Sequence, residues 1–240
     1  MIPLRDSIPS RTIPFTTIAI IAVNALVWLY EVSLGGQRLD RFIVEYGLIP
    51  LRFMEFYKFR GGFLDDAVVP MLASLFIHGG WLHIIGNMWF LWIFGDNVEE
   101  RLGHFEFLLF YLLCGIGAGL AQVKFDAGST LPMVGASGAI SGVLGAYLVS
   151  YPNARVTTLL IIFIFIRIVE FPAFLFLIVW FAFQFVSGTS QLTAHHQAGG
   201  VAYWAHMGGF VLGIVLLWLF PKKPVYRASV WYDDRGRFLR

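Results

Sequence analysis

A bundle of six membrane-spanning helices, with both chain ends on one side of the bilayer, is the fold class this sequence predicts. Three observations carry it. Charged residues make up only 13% of the 240 residues, where a soluble domain carries about a quarter. Hydrophobic residues reach 58% and the mean hydropathy is +0.73. Several apolar runs approach the roughly 20 residues needed to cross a bilayer, and a soluble domain with a large core does not account for runs of that length. The formal charge of +2 gives no basis for a nucleic-acid partner. Membrane lipids are the partner that the composition implies.

Each element follows in chain order. Residues 1–12 read as a short cytoplasmic N-terminus. The apolar run after them continues to Tyr30 without a small-residue cleavage site, so it is expected to be a retained span rather than a signal peptide. Span 1 covers 13–30, and a long external connection, 31–80, carries ten charged residues beyond Glu31. Span 2 covers 81–94, extended by 72–77 on one side and 96–101 on the other. Span 3 is 105–123 and span 4 is 135–151. Span 5 starts at Pro172, a residue favoured in the first turn of a helix, and runs to 186. Span 6 covers 201–220 and is stopped by Pro221 and Pro224, so the membrane domain is 13–220 and a basic cytoplasmic tail fills 221–240.

Residues 153–170 leave two readings open: an extension of span 5 or a separate element. Arg167 and Glu170 interrupt this apolar run, and charge at mid-membrane is costly. Both are therefore placed at the cytoplasmic interface, with the β-branched run before them partly embedded. Six spans divide the Lys and Arg residues eleven to the side of the termini and six to the other, which orients the termini to the cytoplasm. The absence of a targeting segment leads to the expectation of a prokaryotic plasma membrane, with an organelle membrane left open. The lone Cys114 excludes an intrachain disulfide and reads as a small buried apolar residue.

In a membrane core, polar residues that might as well have been leucine carry the information. The first group is Gly135-Ala136-Ser137-Gly138, opening span 4. Ser137 reads either as a helix cap or packing residue, since Gly138, Ser141, Gly142 and Gly145 form a small-residue surface, or as a nucleophile whose own N–H faces a developing oxyanion. The second is His206, about six residues or 9 Å into span 6. Gly209 and Gly213 fall about 60° and 20° from it on the helix wheel. It reads as an interhelical hydrogen-bonding group or, by default for an ionisable residue at this depth, as a functional one. The third is His83 and Asn87, whose i, i+4 spacing sets both on one face of span 2.

Spans 2, 4 and 6 all start on the outer side, so the four side chains are expected at similar depth. A serine needs a neighbouring base to be nucleophilic near neutral pH, and His206 can supply it. His83 and Asn87 can donate to an oxyanion. Spans 4 and 6 contain no Asp or Glu, so the arrangement is a dyad, with the imidazole held by packing.

These three motifs, in this order and on these spans, resemble the signatures of rhomboid intramembrane proteases, over about residues 13–220. The resemblance implies a six-helix bundle with a Ser137–His206 dyad in a water-filled cavity. It implies an oxyanion site built from the Ser137 amide, His83 and Asn87, no metal or cofactor, and cleavage of substrate membrane helices near their outer end. His78 resembles a family histidine beside the cavity. Two departures stand out. Ser141 occupies a position where the family often has an aromatic residue packed on the imidazole, and it is close enough to hydrogen-bond within the site. The first connection lacks a Trp-Arg pair, for which Phe56, Tyr57, Phe59 and Arg60 can provide an interfacial anchor.

The loop 187–200, with Gly188, Gly199 and Gly200, is expected to cap the cavity and move to admit substrate. His195 and His196 within it read either as solvent-exposed loop residues or as a metal-binding or pH-sensing pair. Trp81, Trp204, Trp218 and Trp231 fit interfacial belts. Two other function classes remain: an inactive relative that binds membrane clients, and a small transporter or channel. The second lacks the internal duplication common in that class.

Overall fold

The computed structural model describes residues 1–59, 67–162, 165–193, 201–220, 231–232 and 238–239. Six long helices dominate it: α1 (Phe15–Leu34), α5 (Trp81–Leu102), α6 (His104–Phe125), α7 (Ser137–Ser150), α8 (Ala173–Thr193) and α9 (Tyr203–Leu217). Their bounds fall within a few residues of the six expected spans, except that α8 runs on past 186. By length and composition, three segments can each cross a bilayer: Phe15–Leu34, His104–Phe125 and Ala173–Ser190. α7 and α9 are apolar but shorter, and α5 carries Asp96, Glu99, Glu100 and Arg101 near its end. The connection before α5 is itself largely helical, with α2 (Gly36–Tyr46), α3 (Pro50–Phe59) and α4 (Val69–Ala73).

α7 lies at the centre. Every residue from Gly138 to Tyr147 is buried, enclosed by α5, α6, α8 and α9. Its approach to α9 is limited only by backbone. A Cβ added at Gly209 would lie 2.0 Å from the Gly138 carbonyl oxygen, and one at Gly213 would lie 2.1 Å from that of Gly142. Small residues therefore let two helices touch along their main chains, where dispersion between close backbones replaces the hydrophobic effect as the packing force. Below this contact, Phe94, Phe107, Phe110 and Tyr147 fill the core.

Polar termini inside such a bundle need partners. The first turn of α1 has no side-chain cap of its own. Instead Glu99 reaches across from α5, accepting from the Thr16 N–H at 2.8 Å and the Thr17 N–H at 2.7 Å. His104 Nδ1 lies 2.5 Å from the same carboxylate, which is itself buried. A carboxylate at a helix N-terminus meets both the unpaired amides and the positive end of the helix dipole.

Several expectations are corrected. Residues 155–172 do not extend span 5; of the two readings left open, the separate element is the one found. They form an antiparallel hairpin of β2 (Arg155–Ile162) and β3 (Phe165–Pro172), and α8 begins at the next residue. The β-branched content of Val156, Thr157, Thr158, Ile161, Ile166, Ile168 and Val169 favours strand over helix. β1 (Ile2–Asp6), from what was expected to be a plain tail, adds the third strand in the order β1-β2-β3. Glu170 pairs with Arg155 across the hairpin at 3.9 Å, whereas Arg167 is exposed.

Glu31 belongs to α1, not to the connection; it is buried and accepts from the His78 N–H at 3.1 and 3.2 Å. Trp81 and Trp218 are exposed, as a belt requires, but Trp204 is buried and stacked on Phe125. Within the expected tail, β4 (Trp231–Tyr232) pairs with β5 (Phe238–Leu239); its other residues, with Pro221 and Pro224, lie outside the described residues.

Replacing Glu99 with Ala leaves the buried Thr17 amide and the half-buried Thr16 amide without their acceptor. Thermal or denaturant unfolding in detergent should show a loss of about 3 kcal/mol, with a smaller loss in Glu99→Gln.

Candidate active site

Ser137 is the first residue of α7 and His206 lies one turn into α9. The α7–α9 main-chain contact brings Ser137 Oγ to 2.7 Å from His206 Nε2. When the hydroxyl donates, Nε2 is the lone-pair nitrogen and the ring proton sits on Nδ1. That nitrogen faces Gln184 Oε1 of α8 at 2.8 Å. Trp180, one turn earlier on α8, lies with its ring centroid 6.1 Å from the imidazole at 32°.

The other two expected residues face the same space. His83 Nδ1 accepts from the Gly79 N–H at 3.4 Å, which leaves its Nε2–H to donate. Gly135 has φ +122, open to glycine alone, and a Cβ there would fall 2.5 Å from His83 Nε2 and 3.5 Å from Asn87 Nδ2. The chain leading into Ser137 thus passes directly across both donors. The Asn87 amide nitrogen is buried and has no hydrogen-bond acceptor among the described residues. His83, Asn87, Ser137, His206, Trp180 and Gln184 all line one cavity of about 960 Å3. A donor of this kind at a cavity wall is poised for an anionic oxygen.

His78 lies behind this group. It is buried, and its ring meets that of His83 edge-on at 5.1 Å, supporting His83 from outside the cavity lining.

Ser141 lines the same cavity, and its hydroxyl donates 2.6 Å back to the Ser137 carbonyl. This is the ordinary i−4 bond of a serine inside a helix. Cys114 is buried against Gly142, as its apolar reading expects. His195, His196, Gly199, Gly200 and Arg60 lie outside the described residues, as does the Phe59 side chain. The expected lid is described only as far as 193, where α8 continues through Ser187 and Gly188.

The reading of the sequence missed Gln184 and Trp180. A signal was present: Gln184 is the only Asn, Gln, Ser, Thr or charged residue between 173 and 186. The same test that singled out Ser137 applies to it.

An integral membrane bundle of helices, with a hydrogen-bonded serine and histidine in a largely apolar cavity, is the class that fold and site define. The family model described as Rhomboid domain matches residues 65–223. The chain belongs to the rhomboid family. It is 29% identical over 211 residues to "Rhomboid-like protein 11, chloroplastic" of Arabidopsis thaliana, covering 84% of this chain and 67% of that protein. It is 31% identical over 181 residues to "Presenilin-associated rhomboid-like protein, mitochondrial" of Mus musculus, covering 69% of this chain and 43% of the relative. With "Rhomboid protein 1, mitochondrial" of Saccharomyces cerevisiae the identity is 28% over 193 residues, covering 78% and 52%. The chain thus spans about half or less of the mouse and yeast relatives. All three names point to organelles, which conflicts with the expected prokaryotic plasma membrane; that part of the expectation is not kept.

Gly213→Ala tests the contact beneath the site. Its Cβ would meet a carbonyl oxygen at 2.1 Å, so α7 and α9 must part by about 1 Å, enough to cost roughly 100-fold where reacting groups must align. The rate of Ser137 labelling by a fluorophosphonate should fall by about that factor.

Proposed function

We propose that this chain is an intramembrane serine endopeptidase that cleaves membrane helices of other proteins through Ser137 and His206. The observation that carries the reading is the 2.7 Å Ser137–His206 hydrogen bond at the wall of a cavity that also exposes His83 and Asn87. Membership of the rhomboid family supports it. The membrane domain is taken as 13–220, with six spans and both termini in the cytoplasm, and 221–240 as a basic tail.

The chemistry follows from the placement. Ser137 Oγ attacks the scissile carbonyl carbon as Nε2 of His206 takes its proton. The carbonyl oxygen becomes an oxyanion, to which the Ser137 amide, His83 Nε2–H and Asn87 Nδ2–H donate. First-turn amides of a helix lack intrahelical acceptors, so the start of α7 suits this role. Collapse breaks the C–N bond, and the imidazolium returns its proton to the leaving amine. Water, with its proton taken by His206, then attacks the acyl ester, and Ser137 recovers its hydrogen. No step calls for a metal or cofactor.

The depth of the site follows from helix length. α7 has 14 residues, about 21 Å, against a hydrocarbon thickness of about 30 Å. With its far end at the cytoplasmic surface, its first residue stands below the outer surface. The cavity above Ser137 then admits water, and the substrate is cut near the outer end of its span. Lipids and single-span substrates are the partners this implies.

Purified protein in liposomes with a single-span test substrate provides the test. Wild type should cleave, while Ser137→Ala and His206→Ala should not. Asn87→Ala should lower kcat by about 100- to 1,000-fold, as loss of one oxyanion donor does elsewhere. A wild type that neither cleaves nor labels with a fluorophosphonate would leave the client-binding relative as the reading.

A further inference from the structure

We infer that Gln184 is a positioning residue that holds His206 in the tautomer and orientation Ser137 requires. Its catalytic consequence rests on the proteolytic reading above; its geometry does not. For Nε2 to accept from Ser137 Oγ, the ring proton must stay on Nδ1, and which nitrogen carries it is set by the partner of the other. That partner is Gln184 Oε1, at 2.8 Å. The ring is therefore bridged between α7 and α8, with one nitrogen committed to each.

Trp180 completes the arrangement. At i and i+4 on α8, Trp180 and Gln184 share a helix face. One lies against the imidazole ring and the other caps its edge. Ser141, whose position suggested that an aromatic contact was missing, is tied to its own helix backbone. Orientation of the base comes from α8 instead.

An amide suits the setting better than a carboxylate. α7, α8 and α9 contain no Asp, Glu, Lys or Arg, and from α6 the nearest polar group, Gln122, accepts from the Ala205 N–H. The titratable groups sharing the cavity with His206 are His83 and Tyr203. A carboxylate here would be an uncompensated charge in a membrane interior, whereas a neutral amide fixes the ring without that cost. It also gives less help to the imidazolium that forms in the reaction, so its effect should be smaller than that of the carboxylate in a Ser-His-Asp triad, about 10,000-fold.

Two variants of the full chain in liposomes separate positioning from packing. Gln184→Met keeps length and apolar contact but removes the acceptor. Gln184→Glu keeps the acceptor and adds charge. Gln184→Met should lower kcat roughly 10- to 100-fold, less than the about 100- to 10,000-fold of a whole general base, with KM and the thermal unfolding midpoint unchanged. Gln184→Glu should retain more activity than Gln184→Met. Its carboxylate favours the imidazolium, so the acid limb of kcat/KM should move to higher pH by about one or more.

The tautomer is read independently by 15N NMR of histidine-labelled protein, with His206 identified by its loss in His206→Ala. Wild type should carry the proton on Nδ1, and Gln184→Met should show a tautomer mixture. Wild-type kcat and an unchanged tautomer in Gln184→Met, or a proton on Nε2 in wild type, overturns the inference. Cleavage surviving in Ser137→Ala overturns the Ser137 assignment instead, cleavage absent in wild type overturns the proteolytic reading, and the NMR result then decides Gln184 by itself.

Discussion

The backbone contact between α7 and α9 fixes the distances on which the site depends. Gly209 and Gly213 press against the carbonyls of Gly138 and Gly142, so the helix axes are as close as main chains allow. Ser137 and His206 lie at the ends of that contact nearest the cavity, and their bond length is inherited from it. Side chains between the helices would act as springs with several rotamers. Backbone against backbone leaves no such freedom, and a packed interface of this kind transmits small displacements rather than absorbing them.

α7 is held at both ends. Near its cytoplasmic end by the proposed topology, the Tyr147 hydroxyl donates to Asp6 of β1, and Tyr151, just beyond, donates to the Asn97 carbonyl of α5. β1 is fixed in turn by the Trp89 indole N–H, which donates to the Pro3 carbonyl, and by its pairing with β2. Burial raises the Asp6 carboxyl above its ordinary value, while the bond from Tyr147 opposes that rise. A short sheet at one end of the helix thus braces Ser137 at the other. Preorganisation of this sort is what a catalytic group needs, because the energy of alignment is spent during folding.

Several polar groups inside the bundle are matched across elements, whereas Asn24 and Ser141 donate back to carbonyls of their own helices. Glu99 of α5 caps α1, Glu31 of α1 accepts from the His78 backbone, Gln122 of α6 accepts from α9, and Gln184 of α8 meets His206. With little water to compensate, an unpaired group would be expensive. The Asn87 amide is one of several buried polar groups without a partner among the described residues, and it lies at the cavity wall.

The sequence by itself determined the membrane class, the positions of the six long helices and the three polar residues, His83, Asn87 and His206, grouped with Ser137. Those features are written in local composition: an apolar run has a length, a glycine stripe has a period, and a lone histidine in an apolar helix is conspicuous. It left the 153–170 segment open, because strand and helix both tolerate a run of Ile, Leu and Phe, and pairing with residues 2–6 lies some 150 residues away in the chain. Gln184 carried a signal but no partner, since nothing local says that α8 turns that face toward α9. Only tertiary structure decided that the third contact on the imidazole is an amide from a neighbouring helix, because the bond joins helices whose relative rotation is set by packing, not by the sequence of either one.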